Sequence, residues 1–513
     1  MRKFRIFYGN RTDKDSVRES FYLCWLIEPR RPLRVSIHSV IVSFHCLLFF
    51  WLASVGHSHG QGPILSPDSA DSLVTVDKVL ILGNRVTQNR IILRELSVRG
   101  DTTFLSIADL QATIERDKIK LINTRLFLSV AIEVLPIQDQ YVDLLVRVTE
   151  RWYTVPAPFF RLADRNFNVW LTNQNRDWSR VIYGLQFTRY NFRGLNQRLS
   201  LLAQFGFSQQ FAARYFIPYI DRAQKNGLEF SFRYFNRPNV NYLTEDHKLL
   251  FTRDLDFGVR MVTGLVGWRH RPTFYTTHAV DLQYVDRLVA DTILQLNPNY
   301  FLNEGNRQRY FSLGYRVVSD RRDYVGFPLH GHYWEAEAEK LGLGLLEGAD
   351  IVRLSGHYAR YFDLGKGFYA ASSVRGYLST PRRQPYANFI GLGYNFVWLR
   401  GYELDAIEGQ RYLVQQNTLR KRIFSRQFDI SPVMPLPQFS TLPVSIYLNT
   451  YLDHGYLRNA ISYEQSDRLS DEYLMGYGLG LDIVTFYDFV LRVEHSWRID
   501  GGRGFYFHVR SAF

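Results

Sequence analysis

From about Thr154 to the last residue the chain repeats one pattern. Apolar and polar residues alternate singly, segment after segment, and the apolar set is rich in aromatics. Leu199, Leu201, Ala203, Phe205 and Phe207 alternate with Arg198, Ser200, Gln204 and Gly206; Leu228, Phe230, Phe232 and Tyr234 alternate with Glu229, Ser231 and Arg233. Near the end, Phe489, Leu491, Val493 and Trp497 alternate with Arg492, Glu494, Ser496 and Arg498, and Phe505, Phe507, Val509 and Phe513 with Tyr506, His508 and Arg510. Successive side chains of a strand point to opposite faces, so each segment makes a strand with one greasy face. That face can pack on a shared interior, as in a soluble sandwich, or look out into lipid, as in a closed barrel. The aromatic richness and the number of segments favour the barrel: about 17 candidates of ~10 residues, the length of a tilted membrane strand. Bacterial barrels have an even number, so about 16 antiparallel strands are expected. Asn236 to Phe301 is where strand and loop are hardest to separate. Closure follows from backbone chemistry, since an open sheet edge in lipid leaves polar groups without partners.

Composition agrees. Aromatics are 16% of 513 residues, charged residues 22%, and mean hydropathy is −0.20. A helical membrane protein would be far more apolar, whereas a barrel with a polar lumen averages out to a soluble-looking value. The net charge of +13 could signal nucleic acid. Here the arginines stand singly along alternating strands, which suits lumen, loop and lipid-headgroup contacts, and no nucleic-acid partner is expected. Cys24 and Cys46 both lie near the N-terminus, so the rest of the chain has neither a disulfide framework nor a thiolate metal site.

Residues 1–60 read as an address. Val35 to Gly56 carries no charge, contains the run Cys46 to Ala53, and follows Arg30, Arg31 and Arg34. A basic flank, an apolar run and small residues after it (Ser54, Gly56, Gly60) describe a secretory signal, with a basic region longer than usual. The competing reading, an uncleaved anchor, is weakened by His38, His45 and several serines.

Residues 74–152 read as a small α/β domain. Val76 to Leu82 is an apolar run closed by the turn signal Gly83-Asn84. Ile91, Ile92 and Leu96 have helical spacing, as do Ile107, Leu110, Ile114 and Leu121, with Ser106 and Asp109 placed to cap the second helix. Ser129 to Leu135 and the alternating Val142, Leu144, Val146 and Val148 make two strands. The expected order is β-α-α-β-β.

That order, with Leu82-Gly83-Asn84-Arg85, Arg94-Glu95-Leu96, Asn123 to Phe127, and Val148-Thr149-Glu150-Arg151, resembles a POTRA domain of the BamA/TamA outer-membrane assembly family. The likeness continues into residues 154–513. Asn191-Phe192-Arg193-Gly194 with Gln197 resembles that family's turn between early strands, and Phe216-Ile217-Pro218-Tyr219 its proline-aromatic strand end. Asp320-Arg321-Arg322-Asp323, with Phe327-Pro328 and Gly331, resembles its Asp-x-Arg-Asp hairpin, and the terminal Phe513 its assembly signal. Leu399-Arg400-Gly401-Tyr402 is similar to the family's Arg-Gly-aromatic motif at the tip of an inward-folded extracellular loop. A second copy, Val374 to Tyr377, lies upstream; the later one precedes the last five candidate strands and is followed by Gly409 and Asn417, as the resemblance implies.

The resemblance implies that Arg400 reaches acidic groups on the lumen wall. An arginine there needs a counter-charge and hydrogen bonds. Asp453, in Asp453-His454-Gly455, matches one such carboxylate; Thr418 stands where a glutamate is usual, which leaves the second acceptor open. The competing reading of Arg400 is a solvated loop residue.

No nucleophile elbow, His-Glu-x-x-His or P-loop is present, so no catalytic residue, cofactor or metal is expected. Glu335, Glu337 and Glu339 share a strand face and read as lumen-wall charges; His330 and His332 have strand spacing but no evident third ligand. The resemblance implies a bacterial outer-membrane protein, with its small domain in the periplasm, that assists insertion, assembly or translocation of proteins. Its partners would be outer-membrane lipid, unfolded or exported polypeptides, and periplasmic or lipoprotein accessory proteins. One small domain that captures client strands on its edge suits an accessory paralogue, though a structural plug or spacer would have the same order of elements. The alternatives are a pore or lipid conduit of the same architecture and, third, a barrel-embedded hydrolase.

Overall fold

A computed structural model describes residues 73–138, 140–162, 178, 181–252, 255, 257–303, 305–346, 348–393, 397–432, 434, 440–459, 469–485 and 489–509. The proposed signal segment and Phe513 lie outside the described residues.

The N-terminal unit is built from β1 (Val74–Leu82), α1 (Asn89–Glu95), β2 (Thr102–Phe104), α2 (Ile107–Asn123), β3 (Phe127–Gln138) and β4 (Tyr141–Glu150). The sheet runs β2-β1-β4-β3, with β1 and β4 parallel and the other pairs antiparallel. The order differs from the expected one by β2, a three-residue strand paired with Val74 to Val76. So short an element has no periodicity of its own; its pairing with β1 makes it a strand. Ser106 caps α2 by accepting the Asp109 amide at 3.2 Å. Ile91, Ile92, Leu110, Ile114 and Leu121 pack on Val76, Leu144, Val146 and Val148, which places both helices on one face of the sheet.

The remainder is one sheet of 16 antiparallel strands, in chain order apart from one detour. It comprises β5 (Thr154–Leu162), β6 (Val181–Phe192), β7 (Gln197–Gly206), β8 (Gln209–Ile217), β9 (Asn226–Arg237), β12 (Val259–His270), β13 (Thr276–Val289), β14 (Arg307–Asp320), β15 (Gly331–Leu341), β16 (Ile351–Gly365), β17 (Phe368–Thr380), β18 (Arg411–Asp429), β19 (Thr441–Arg458), β20 (Tyr473–Val484), β21 (Val490–Arg498) and β22 (Arg503–Val509). The detour, inside the stretch hardest to read from sequence, is a separate hairpin of β10 (Asn241–Glu245) and β11 (Lys248–Phe251). A short helix, α3 (Asp291–Leu296), follows β13.

The alternation sorts the faces. Leu201, Phe205, Phe230, Phe232, Val266, Leu282, Leu313, Leu413, Leu448 and Leu479 are exposed on the outside. The opposite face is zipped by ion pairs between neighbouring strands: Glu229 with Arg214 at 2.5 Å and Arg269 at 2.9 Å, and Arg269 with Asp281 at 2.6 Å. Large apolar groups outside and paired charges inside are the reverse of a soluble protein and fit a barrel in hydrocarbon.

The N-terminal unit docks on the turns at one end of this sheet. Glu95 is buried at the end of α1 and receives Arg271 of the β12–β13 turn at 2.7 and 2.9 Å, with Arg94 at 2.7 Å. Burial alone would raise the Glu95 pKa; attraction to Arg271 and Arg94 overcomes it and holds the carboxyl below its ordinary range. The Gln88 amide donates to the Gly194 carbonyl at 3.0 Å, Asn191 Nδ2 to Thr87 Oγ1 at 2.8 Å, and Asn123 Nδ2 to the Arg322 carbonyl at 3.2 Å. The turn motifs of the barrel are thus also the seat of the small domain.

Gly83, Asn84 and Glu150 converge on the β1–α1 turn. Gly83 has φ +93°, and a Cβ there would lie 2.0 Å from the Val148 carbonyl oxygen, so only glycine fits. Asn84 Nδ2 donates to the Thr87 carbonyl at 2.8 Å, and Glu150 Oε1 accepts from the Thr87 amide at 2.7 Å. Between them they hold the turn that presents Thr87 and Gln88 to the barrel.

A buried arginine network inside the barrel

The long connection from β17 to β18 leaves the barrel rim and folds into the lumen. Its tip is Leu399-Arg400-Gly401-Tyr402, all four buried. Gly401 takes φ +93°, turning the tip so that Arg400 enters the wall of strands β18 to β21. Arg400 and Asp453 of β19 come together as a bidentate pair: Nε to Oδ2 at 2.7 Å and Nη2 to Oδ1 at 2.6 Å. Nη2 also donates to the Asn417 carbonyl of β18 at 3.2 Å, and the guanidinium lies 4.0 Å from the centre of the Tyr451 ring. Fork-on-fork geometry is the strongest arrangement available to this pair.

Room for the tip comes from β20. A Cβ on Gly476 would sit 1.8 Å from the Arg400 carbonyl oxygen, so the loop backbone rests directly on the strand. Around it lies a second clamp. Arg498 of β21 stacks over Tyr402 at 4.0 Å and pairs with Asp405 at 2.7 Å, while Tyr506 of β22 donates to the Gly401 carbonyl at 3.0 Å. The β10–β11 hairpin closes the site from above: its His247 carbonyl accepts the Ala406 amide at 2.8 Å, and Thr244 meets Tyr386 at 3.0 Å.

Behind Arg400 runs a chain of alternating charges. Glu494 of β21 lies 3.6 Å from Arg400 and 3.7 Å from Arg492; Arg492 pairs with Asp482 at 2.6 Å, and Asp482 with Arg420 at 3.2 Å. Each of these side chains is nearly or wholly inaccessible to solvent. Isolated charges at such depth would be prohibitive; an alternating chain lets each serve its neighbours.

The Omp85 superfamily domain matches residues 191–507, more than half of the chain. The chain belongs to the Omp85 superfamily. Similar solved structures are BamA from Haemophilus ducreyi lacking POTRA domains 1-3 (12% identity, TM-score 0.47, 85% of this chain and 84% of that one) and CdiB from Escherichia coli (12%, 0.46, 94% and 100%). CdiB from Acinetobacter baumannii matches at 12% and 0.43, over 86% and 74%. A comparison with curated proteins finds no match. Omp85 membership places the barrel in the bacterial outer membrane and the protein in the class that assembles or translocates proteins there.

In this Omp85 barrel Thr418 occupies the inner wall of β18 and is buried, but the second carboxylate near Arg400 comes from Glu494 of β21, three strands further on. The sequence pattern contained a signal for it, since Glu494 and His508 both fall on polar faces of the last strands. It had no signal for Gly476, whose role depends on the loop lying against it. The earlier Arg-Gly-Tyr copy falls inside β17, where Val374 faces outward and Arg375 stands on the wall. Glu335 and Glu339 are likewise wall charges, beside Arg316 at 3.6 Å and Arg353 at 3.3 Å. His332 lies against Arg360, and the group of three potential metal ligands that does come together is elsewhere: Glu403, Glu494 and His508.

Proposed function

We propose that the protein handles client polypeptides at the outer membrane in two stages: capture by the small domain, then passage or insertion at the barrel. The observation that carries this reading is the loop itself. Arg400 and its partners line the inner side of β18 to β22 with a buried, interlocked network, which suits a gated device better than a standing pore. Two further features support it. Strand β3 forms the long outer edge of the domain's sheet, and an edge strand offers unpaired N–H and C=O groups to an extended chain. At the other end, among the described residues, no ladder joins β22 to β5. A seam held mainly at the terminal strands would let the barrel open sideways into the membrane.

The role assigned is one of binding and conformational gating without catalysis. Arg400 and Asp453 lock the loop, Gly401 and Tyr402 shape its tip, and Glu150 holds the turn by which the domain sits on the barrel. Partners would be client chains and, bound to the domain, periplasmic or lipoprotein accessory proteins.

The test is depletion of the protein followed by quantitative proteomics of the outer membrane. Loss of a defined set of outer-membrane or exported proteins is expected; an unchanged census with intact export refutes the reading. Planar-bilayer conductance separates the pore alternative: a steady large conductance in the wild type, unaltered by deleting residues 397–407, would favour a conduit.

A further inference from the structure

Beside the arginine network, three side chains from three elements meet in a buried pocket: Glu403 of the loop, Glu494 of β21 and His508 of β22. Glu403 and Glu494 side chains are 0% exposed and His508 5%. His508 Nε2 lies 3.7 Å from Glu403 Oε1 and 3.6 Å from Glu494 Oε2. These separations are too long for hydrogen bonds. They match two donors sharing one ion, since ligands at 2.0–2.2 Å from a tetrahedral metal stand about 3.3–3.6 Å apart.

The polar atoms support the same conclusion. Among the described residues neither oxygen of Glu494 has a hydrogen-bond partner, nor does Glu403 Oε1. Glu494 turns Oε1 towards Arg400 and Arg492 and leaves Oε2 facing the imidazole. The surroundings orient the other groups. Glu403 Oε2 accepts the Gly401 amide at 2.7 Å, which aims Oε1 into the pocket, and the His508 ring stacks on Trp398 with its plane 9° away. Such outer contacts are typical of groups that hold metal ligands in place. The local charge also asks for a cation. Asp453, Glu494 and Asp482 face Arg400, Arg492 and Arg420, and Glu403 adds a fourth carboxylate beside these three guanidinium groups.

We propose that Glu403, Glu494 and His508 bind one divalent first-row metal ion, of which Zn²⁺ is the probe of choice for an imidazole and two carboxylates. The ion would staple the inward loop to the last two strands, at the edge where the barrel sequence ends. A barrel with no client role would still bind the ion.

The experiment uses the full chain, folded in detergent, stripped with chelator and titrated with Zn²⁺ against a fluorescent competitor. One equivalent is expected at micromolar affinity or better, together with a rise in unfolding temperature. His508→Gln should weaken binding at least tenfold and abolish that rise, and His508→Cys, which supplies a thiolate, should restore both. If His508→Gln fails to fold, Glu403→Gln, on the loop, makes the same comparison. Folded wild-type protein that takes up no zinc, or uptake equal in wild type and variant, overturns the proposal.

Discussion

Replacing Arg400 with alanine removes two short bonds to Asp453, one to the Asn417 carbonyl and the stack on Tyr451, and leaves Asp453 at 0% exposure without its cation. Breaking a buried ion pair from one side costs about 3–5 kcal/mol. Asp453 keeps the Gln416 side chain and the Asn417 amide, both at 3.3 Å, and Glu494 keeps Arg492, so the cost belongs near the lower limit, about 3 kcal/mol. At 1.4 kcal/mol per decade that is roughly a hundredfold loss in the ratio of docked to undocked loop. Hydrogen exchange reads it directly at Ala406, whose amide is bonded across to the His247 carbonyl of the β10–β11 turn only while the loop is seated. Its protection should fall about a hundredfold while amides of β13 and β14 stay protected and the barrel still inserts. Asp453→Asn should cost less, since the amide keeps its shape and one acceptor. In the double variant the two effects should couple by well over about 1 kcal/mol. Unchanged exchange at Ala406 in Arg400→Ala, or strict additivity with Asp453→Asn, would show that this pair does not hold the loop.

Other expectations follow from the same contacts. Gly476→Ala drives a Cβ against the Arg400 carbonyl and should cost about 1–3 kcal/mol of loop docking, whereas Gly264→Ala, which meets nothing within 4 Å, should leave exchange unchanged. Leu479→Arg, at an exposed site in the middle of β20, should reduce barrel stability in bilayers by about 2–4 kcal/mol, measured by denaturant titration; a neutral result would mean that this face does not meet lipid. The Glu95 carboxyl is held below its ordinary range, so its contribution to domain docking is complete above the ordinary carboxylate pKa and fades as pH falls through its own lower value. Protease sensitivity of the 150–154 connection should therefore rise only on acidification, and Glu95→Gln should lose that pH dependence.

Much of this architecture is local information. Alternation at period two fixed the outward face at Leu201, Phe230 and Leu479, because a strand's two faces are set by its own backbone. Ser106 and the Gly83-Asn84 turn announced their roles through local hydrogen bonding and φ, and Arg400 and Asp453 were legible through a family pattern. What the sequence could not determine is which groups meet across the lumen. β2 is a strand only because β1 lies beside it, and the β10–β11 hairpin is defined by its seat over the loop. Thr418 left the second acid for Arg400 unassigned. The tertiary structure supplied Glu494 from β21, brought Glu403 and His508 beside it, and laid Arg400 on the bare backbone of Gly476. The physical reason is that inter-strand register and sheet curvature, which set distances between residues remote in sequence, are properties of the sheet as a whole and of no single strand.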